Sequence, residues 1–260
     1  MTDTAILTKD LTKFFGHITA VKNLNLKVKK GETFGLLGPN GAGKTTTVRM
    51  LNAIIRPTSG TAVVAGYDIL KQPEMVKRNT GLLPETPGIY EKLTAREFLT
   101  FIGKLYDVER DILEDRVDDL LKIFELEDRA DDLLESYSRG MKQKVLIAAA
   151  LVHDPPIIFL DEPTATLDPA SARMVKDMIK LLSEKADKTI FLCTHILPVA
   201  TELCDRVGII DRGVLLDVGT PKELMDKTDT ESLEDAFIKL TGRERKEAAE
   251  LLEWREPLHQ

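Results

Sequence analysis

Residues 38–45 read Gly38-Pro39-Asn40-Gly41-Ala42-Gly43-Lys44-Thr45, the spacing G-x-x-x-x-G-K-[ST] of a phosphate-cradling P-loop. The residue types follow from the chemistry. Gly41 and Gly43 let backbone N–H groups turn inward and approach phosphate oxygens. Lys44 offers a cation to the β- and γ-phosphates, and Thr45 a hydroxyl to Mg2+. The neighbouring sequence agrees. Residues 33–37 read as a buried strand closed by Gly38, and residues 46–54 carry a helix pattern. That helix would turn its positive N-terminal end toward the loop. Strand, loop and helix in this order predict an α/β fold.

Working outward, Ile157-Ile-Phe-Leu-Asp161-Glu162 supplies an acidic counterpart. An apolar strand delivers Asp161 at its C-terminal end, where ligands bind in open α/β sheets. A carboxylate there can hold Mg2+ directly or through water. Glu162 follows with the opposite side-chain direction and can aim at an attacking water. Residues 157–160, 190–193 and 207–210 are apolar nearly throughout and predict central parallel strands. Leu24, Leu26 and Val28 alternate with Asn25 and Lys27, which predicts one half-buried strand.

Residues 91–136 show no strand pattern and carry many acids: Asp107, Glu109, Asp111, Glu114, Asp115, Asp118 and Asp119. The acids read as a solvated face. Thr94 with Glu97 predicts a capping box at a helix start. Leu113, Val117, Leu120, Leu121 and Phe124 mark one apolar helix face. The segment reads as a helical insert in the α/β core. After Gly219 one short helix is expected, with Leu233, Ala236, Phe237 and Leu240 at helical spacing. From Gly242 onward the chain reads as a charged tail.

Charge and cysteine usage narrow the partners. In 260 residues, 36 Lys and Arg face 43 Asp and Glu, a net charge of −7. A nucleic-acid partner is not expected, since such binders usually show a basic excess. Cys193 and Cys204 cannot form a disulfide framework, and their spacing suits no zinc site. This usage fits a reducing cytosol, and Cys193 reads as a small buried strand residue. The chain has no run of about 18–20 apolar residues, and residues 1–10 lack a signal peptide's apolar stretch. Any link to a membrane would therefore run through a partner.

Tyr137-Ser138-Arg139-Gly140-Met141-Lys142 precedes a helix pattern running through Ala148 to Val152. It resembles the signature motif of ABC-type ATPases, in a form common among ATP-binding subunits of ABC-2-type exporters. Ser138 and Gly140 match the usual Leu-Ser-Gly-Gly-Gln, whereas Tyr137, Arg139 and Met141 depart from it. The chemistry survives the variation: Ser138 can cap a helix whose N-terminus attracts phosphate. Further motifs follow the family's order. Phe15, before Gly16, aligns with the aromatic residue that stacks on adenine, and Val21 with a small apolar residue packed on the same base. Ala165-Thr-Leu-Asp168 resembles the D-loop, and Thr194-His195 the switch histidine. Where the family usually has Gln, Leu82-Leu-Pro-Glu85 places Glu85. Its carboxylate can accept from water or meet Mg2+ but cannot donate as an amide does. Residues 232–242 resemble a C-terminal segment frequent in ABC-2-type subunits.

The resemblance implies a P-loop NTPase core of ABC type, with a mainly parallel sheet, an N-terminal antiparallel β part and an α-helical subdomain. The ATPase domain would span 1–225, with the subdomain inserted at about 86–150, and residues 226–260 would form a C-terminal helical tail. ATP would bind on Phe15, Val21, Gly38, Pro39, Asn40, Gly41, Ala42, Gly43, Lys44, Thr45 and Thr46. Thr45, Asp161 and Glu85 would serve Mg2+. Lys44, Glu162 and His195 would carry hydrolysis, and Asp168 the D-loop acid. Two subunits, as a homodimer or with a related ATPase, would pair head to tail. The partner's Ser138, Arg139, Gly140, Met141 and Lys142 would then close each site. A separate integral membrane permease would be driven, in export, from the cytoplasmic face of the cell membrane. Two other readings stay open in the residues: a soluble ABC ATPase in a cytosolic assembly or repair complex, and an ATP-binding regulator without turnover.

Overall fold

The computed structural model describes residues 3–86, 88–165, 167–186 and 188–242, apart from the side chains of residues 185 and 186. The tail expected beyond Gly242 lies outside the described residues. The chain opens with β1 (Thr4–Phe15), β2 (Ile18–Leu24), β3 (Lys27–Lys29), β4 (Thr33–Leu37) and α1 (Lys44–Leu51). It continues with β5 (Ser59–Val64), β6 (Tyr67–Asp68), α2 (Pro73–Arg78) and β7 (Thr80–Leu83). Three α-helices follow: α3 (Ala95–Leu105), α4 (Arg110–Ile123) and, after two short 3-10 turns, α5 (Arg139–Leu151). Then come β8 (Ile157–Asp161), α6 (Pro169–Ala186), β9 (Thr189–Thr194), α7 (Leu197–Leu203), β10 (Arg206–Asp211) and β11 (Val214–Gly219). Helices α8 (Pro221–Thr228) and α9 (Leu233–Thr241) end the described chain.

Two sheets share the core. The larger runs β11-β10-β4-β9-β8-β7, parallel except for the antiparallel edge strand β11. Its central strands β4, β8 and β9 are buried at every position. Alternation then divides their side chains between two cores. Phe34, Phe159 and Phe191 pack on one face, with ring centroids 5.5 and 5.3 Å apart. Ile158, Leu160, Ile190 and Leu192 pack on the other, in a core shared with α5, α6 and α7. The smaller sheet, order β2-β1-β5-β6 with β3 also on β1, is antiparallel and covers the first core.

In the insert, Thr94 and Glu97 form the expected reciprocal cap of α3. Leu113, Val117, Leu120, Leu121 and Phe124 are all buried. The acids stay near solvent, several in exposed ion pairs such as Arg96–Asp118 and Arg78–Asp107. No helix among the described residues is long and apolar enough to cross a membrane.

Three local expectations need correction. Residues 24–28 are not one strand, although Leu24, Leu26 and Val28 are buried as expected. Thr8 Oγ1 donates to Leu24 O (2.8 Å) and accepts from Leu26 N (2.7 Å), so a side chain replaces the ladder and parts β2 from β3. Helix α1 is shifted earlier than 46–54. It begins at Lys44 and stops at Leu51, where Ala53 turns left-handed (φ 53°). Among the described residues two helices, not one, follow Gly219. The missed one, α8, has Pro221 in its first turn and a capping box between Thr220 and Glu223.

Candidate active site

The phosphate loop is set by close approaches that only glycine allows. Gly43 has φ 108°, and a Cβ there would lie 2.4 Å from Ala20 O. Gly41 is likewise left-handed, at φ 79°. Two hydrogen bonds tie the loop to its surroundings: Gly213 N donates to Ala42 O (2.9 Å), and Lys22 N to Gly213 O (2.8 Å). The result is a cleft of about 220 Å³. It is lined by residues 39–46, with Ile18, Thr19 and Ala20 along one side and Glu85 and Glu162 at the other.

Lys44 is buried and already engaged. Its Nζ donates to Gly38 O (2.7 Å) and Pro39 O (3.3 Å) and lies 3.4 Å from Glu162 Oε1. The same carboxylate oxygen is 2.9 Å from His195 Nδ1. Strand β8 ends at Asp161, and the chain turns at Glu162 with φ 53°, its N–H donating to Cys193 O (2.9 Å). This turn sends two consecutive carboxylates to one cleft. Asp161 is 1% exposed. Burial foremost, with the nearby charges of Glu85 and Glu162, raises its pKa above the usual carboxylate value. The Thr45 hydroxyl and Lys44 oppose that rise. Asp161 Oδ1 and Glu162 Oε2 are buried without a hydrogen-bond partner. Unpaired buried acceptors of this kind ask for a donor or a cation. A second cleft, lined by Asn40, Glu85, Gln143, Asp161, Glu162 and His195 among others, adjoins the first through Asn40, Glu85 and Glu162.

Lys44, Thr45, Glu85, Asp161, Glu162 and His195 therefore converge. Val21 does not meet the cleft. It is fully buried, below the position a Cβ of Gly43 would take. Its neighbour Ala20 lines the cleft in its place, with Ile18 and Thr19, which the sequence reading missed. In β2 only Val21 and Leu24 are buried, and the three residues before Val21 are left at the cleft. Phe15 is 49% exposed outside the cleft lining, with Lys13 Nζ 5.0 Å from its ring centroid.

Residues 138–142 are absent from the described lining of either cleft. Ser138 caps α5, its Oγ accepting from Met141 N (3.2 Å). Lys142 Nζ is 2.5 Å from Glu91 Oε1. Asp168 caps the next segment, accepting from Ala170 N and Ser171 N at 3.1 Å each. Asp168, like residues 138–142, is not among the residues that line the phosphate-loop cleft or its neighbour.

A phosphate loop on a parallel sheet, with paired carboxylates opposite it, defines a nucleotide-binding ATPase cassette. The ABC transporter family model matches residues 21–165. The chain is 40% identical over 223 residues to the ABC transporter ATP-binding protein NatA of Bacillus subtilis, covering 85% of this chain and 90% of that protein. It is 41% identical over 214 residues to the bacitracin transport ATP-binding protein BcrA of Bacillus licheniformis, covering 82% and 69% respectively. A solved ATP-binding subunit of an ABC transporter superposes with a TM-score of 0.83 at 32% identity, covering 92% of this chain and all of that one. A dimeric cassette, MJ0796, solved bound to ADP and Pi, superposes with a TM-score of 0.75 at 28% identity, covering 83% and 98%. The chain belongs to the ABC transporter family, and its cassette is an ATP-binding, ATP-hydrolysing one.

Proposed function

We propose that this chain is the energising subunit of an ABC exporter, coupling ATP hydrolysis to a separate membrane permease at the inner face of the cell membrane. The single observation that carries the catalytic part is the chain of contacts Lys44–Glu162–His195 at the rim of the phosphate loop. Residues 38–46 cradle the phosphates of ATP, and Phe15 meets the base. Lys44 leaves the loop carbonyls for the β- and γ-phosphates. Glu162, released from Lys44, orients the attacking water and takes its proton at Oε2. His195 holds Glu162 in place and contacts the γ-phosphate.

The protein groups fit Mg2+. Asp161 Oδ1 is buried and unpaired, the Thr45 hydroxyl bonds the Asp161 carboxylate, and Glu85 lines the same cleft as Asp161. Among the described residues no group of three or more His, Cys, Asp or Glu could hold a metal. That small protein set suits Mg2+, which keeps waters and takes substrate phosphate oxygens as ligands. Bound there, Mg2+ would spread the negative charge of the transferring phosphoryl group.

Subunits pair head to tail, so that the α5 N-terminus, from Ser138 through Lys142, closes the partner's site. A helix N-terminus supplies the N–H groups that one P-loop leaves wanting. Asp168 lies at the same interface. The working unit is residues 1–225 with the insert at 86–150, and the permease docks near residues 85–93. Export is favoured because relatives such as BcrA are named for the transport of an antibiotic.

The test is co-purification. The Glu162→Gln chain is tagged, trapped with ATP in its native cells and recovered from gently solubilised membranes. A stoichiometric multi-span membrane protein is the expected companion. Soluble proteins alone, with the chain missing from the membrane fraction, would move the assignment to a cytosolic complex.

A further inference from the structure

Gly140 lies in the first turn of α5 and is buried. A Cβ at this position would meet Ser171 Oγ at 2.4 Å and Ser171 Cβ at 3.1 Å. The hydroxyl is the main obstacle, since the Ser171 Cβ contact needs a shift of only a few tenths of an ångström. The hydroxyl is not free to turn away: it donates to Asp168 Oδ2 at 2.6 Å. The other oxygen of Asp168 accepts from Ala170 N and Ser171 N, which closes the first turn of α6. A second tie lies one helical turn along α5, where Gln143 Nε2 donates to Pro163 O at 2.9 Å. The start of α5 therefore rests at two points on the segment that runs from the catalytic carboxylates to α6.

We propose that Ser171 is a positioning residue for ATP hydrolysis: seated on Gly140 and bonded to Asp168, it makes the starts of α5 and α6 one body facing the partner's nucleotide. The inference rests on the head-to-tail site proposed above. In that arrangement Gly140 and Asp168 belong to one subunit and act on the site of the other. Ser171 sets their spacing before the subunits meet. Gly140 is then required to be glycine by a serine of its own subunit, and a displacement of the α5 start costs rate without touching the phosphate loop.

The test uses the purified full chain and three variants: Gly140→Ala, Ser171→Ala and the pair. Phosphate release gives kcat and KM. Titration with a fluorescent ATP analogue at low protein concentration gives the affinity of the single subunit, and thermal unfolding gives Tm. Gly140→Ala is expected to lower kcat about tenfold while single-subunit affinity moves less than about twofold. Adding Ser171→Ala, which removes the nearer atom, is expected to raise kcat at least about threefold above Gly140→Ala alone. Three results would overturn the proposal: full activity in Gly140→Ala, no gain in the pair, or recovery of Tm without recovery of kcat. The last would reduce Ser171 to packing. A parallel Glu162→Gln control separates the two levels. Turnover persisting there removes the active-site reading itself, whereas its loss with no gain in the Ser171 pair removes only this proposal.

Discussion

Lys44 Nζ and Glu162 Oε1 stand 3.4 Å apart with side chains only 6% and 7% exposed, so the candidate phosphate-binding cation and the candidate base form a buried ion pair. Lys44 also spends two hydrogen bonds on Gly38 O and Pro39 O. On the proposed reading, ATP replaces these contacts and in doing so frees Glu162, so that binding and activation of the base are one exchange of partners around a buried ammonium.

Glu162→Gln keeps the size of the side chain and removes its basicity. Steady-state phosphate release is expected to fall at least about 100-fold. ATP affinity is expected to hold or tighten, because Lys44 no longer gives up an ion pair. Wild-type turnover in this variant would remove Glu162 from catalysis.

Asp161 offers a pH signature in the absence of ligand. Its folded-state pKa is raised by burial above the ordinary value of 3.8. Between the two values the native chain holds more protons than the unfolded chain. Stability therefore falls as pH rises through that window. Asp161→Asn is expected to raise the ligand-free Tm by about 2–4 °C at pH 7.5. The gain should shrink in acid, and Mg2+-dependent hydrolysis should be lost. A lower Tm at pH 7.5 would contradict the account.

His153 predicts the opposite slope at a site remote from the phosphate loop. Its ring stacks on Tyr106 (centroids 3.7 Å apart, 7° between planes), and Nε2 is 3.1 Å from Thr80 O. Burial lowers its pKa from 6.5 to about 4. The unfolded chain takes up the proton first, so stability is complete above the unfolded value and is lost as pH falls toward the folded one. Urea unfolding should show a His153-dependent loss of about 2 kcal/mol between pH 7.5 and pH 5. His153→Gln keeps a donor for Thr80 O and should remove that loss. An unchanged pH slope in the variant would show that the titration lies elsewhere.

Ser138 tests the shared site. On a Glu162→Gln background, Ser138→Arg should abolish the ATP-driven rise in mass seen by light scattering, by adding bulk and charge to the interface. It also removes a helix cap, at a cost of about 1 kcal/mol. Ser138→Asp retains a capping acceptor but sets a negative charge against phosphate, and should block the dimer with little change in Tm. Dimer formation by the Asp variant at wild-type ATP concentrations would refute the head-to-tail site.

The parts of the molecule legible in the sequence are those governed by neighbours along the chain. Gly38 through Thr45 act through their own backbone, so their spacing declares their use. Strands β4, β8, β9 and β10 are buried on both faces and read as apolar runs. Thr94 with Glu97, and Ser138 before Met141, cap helices within one turn. What tertiary structure decided depends on residues far apart. Thr8 breaks the strand at 24–28 from sixteen positions away. The buried packing of Val21 leaves Ala20 on the cleft. Glu162 meets His195 across 33 positions, and Gly140 meets Ser171 from a different helix. Local spacing determines which groups a chain can offer, because bonds within a turn need no other element. Which groups share a charge, or exclude each other's Cβ, is settled only when the sheet brings its strand ends together.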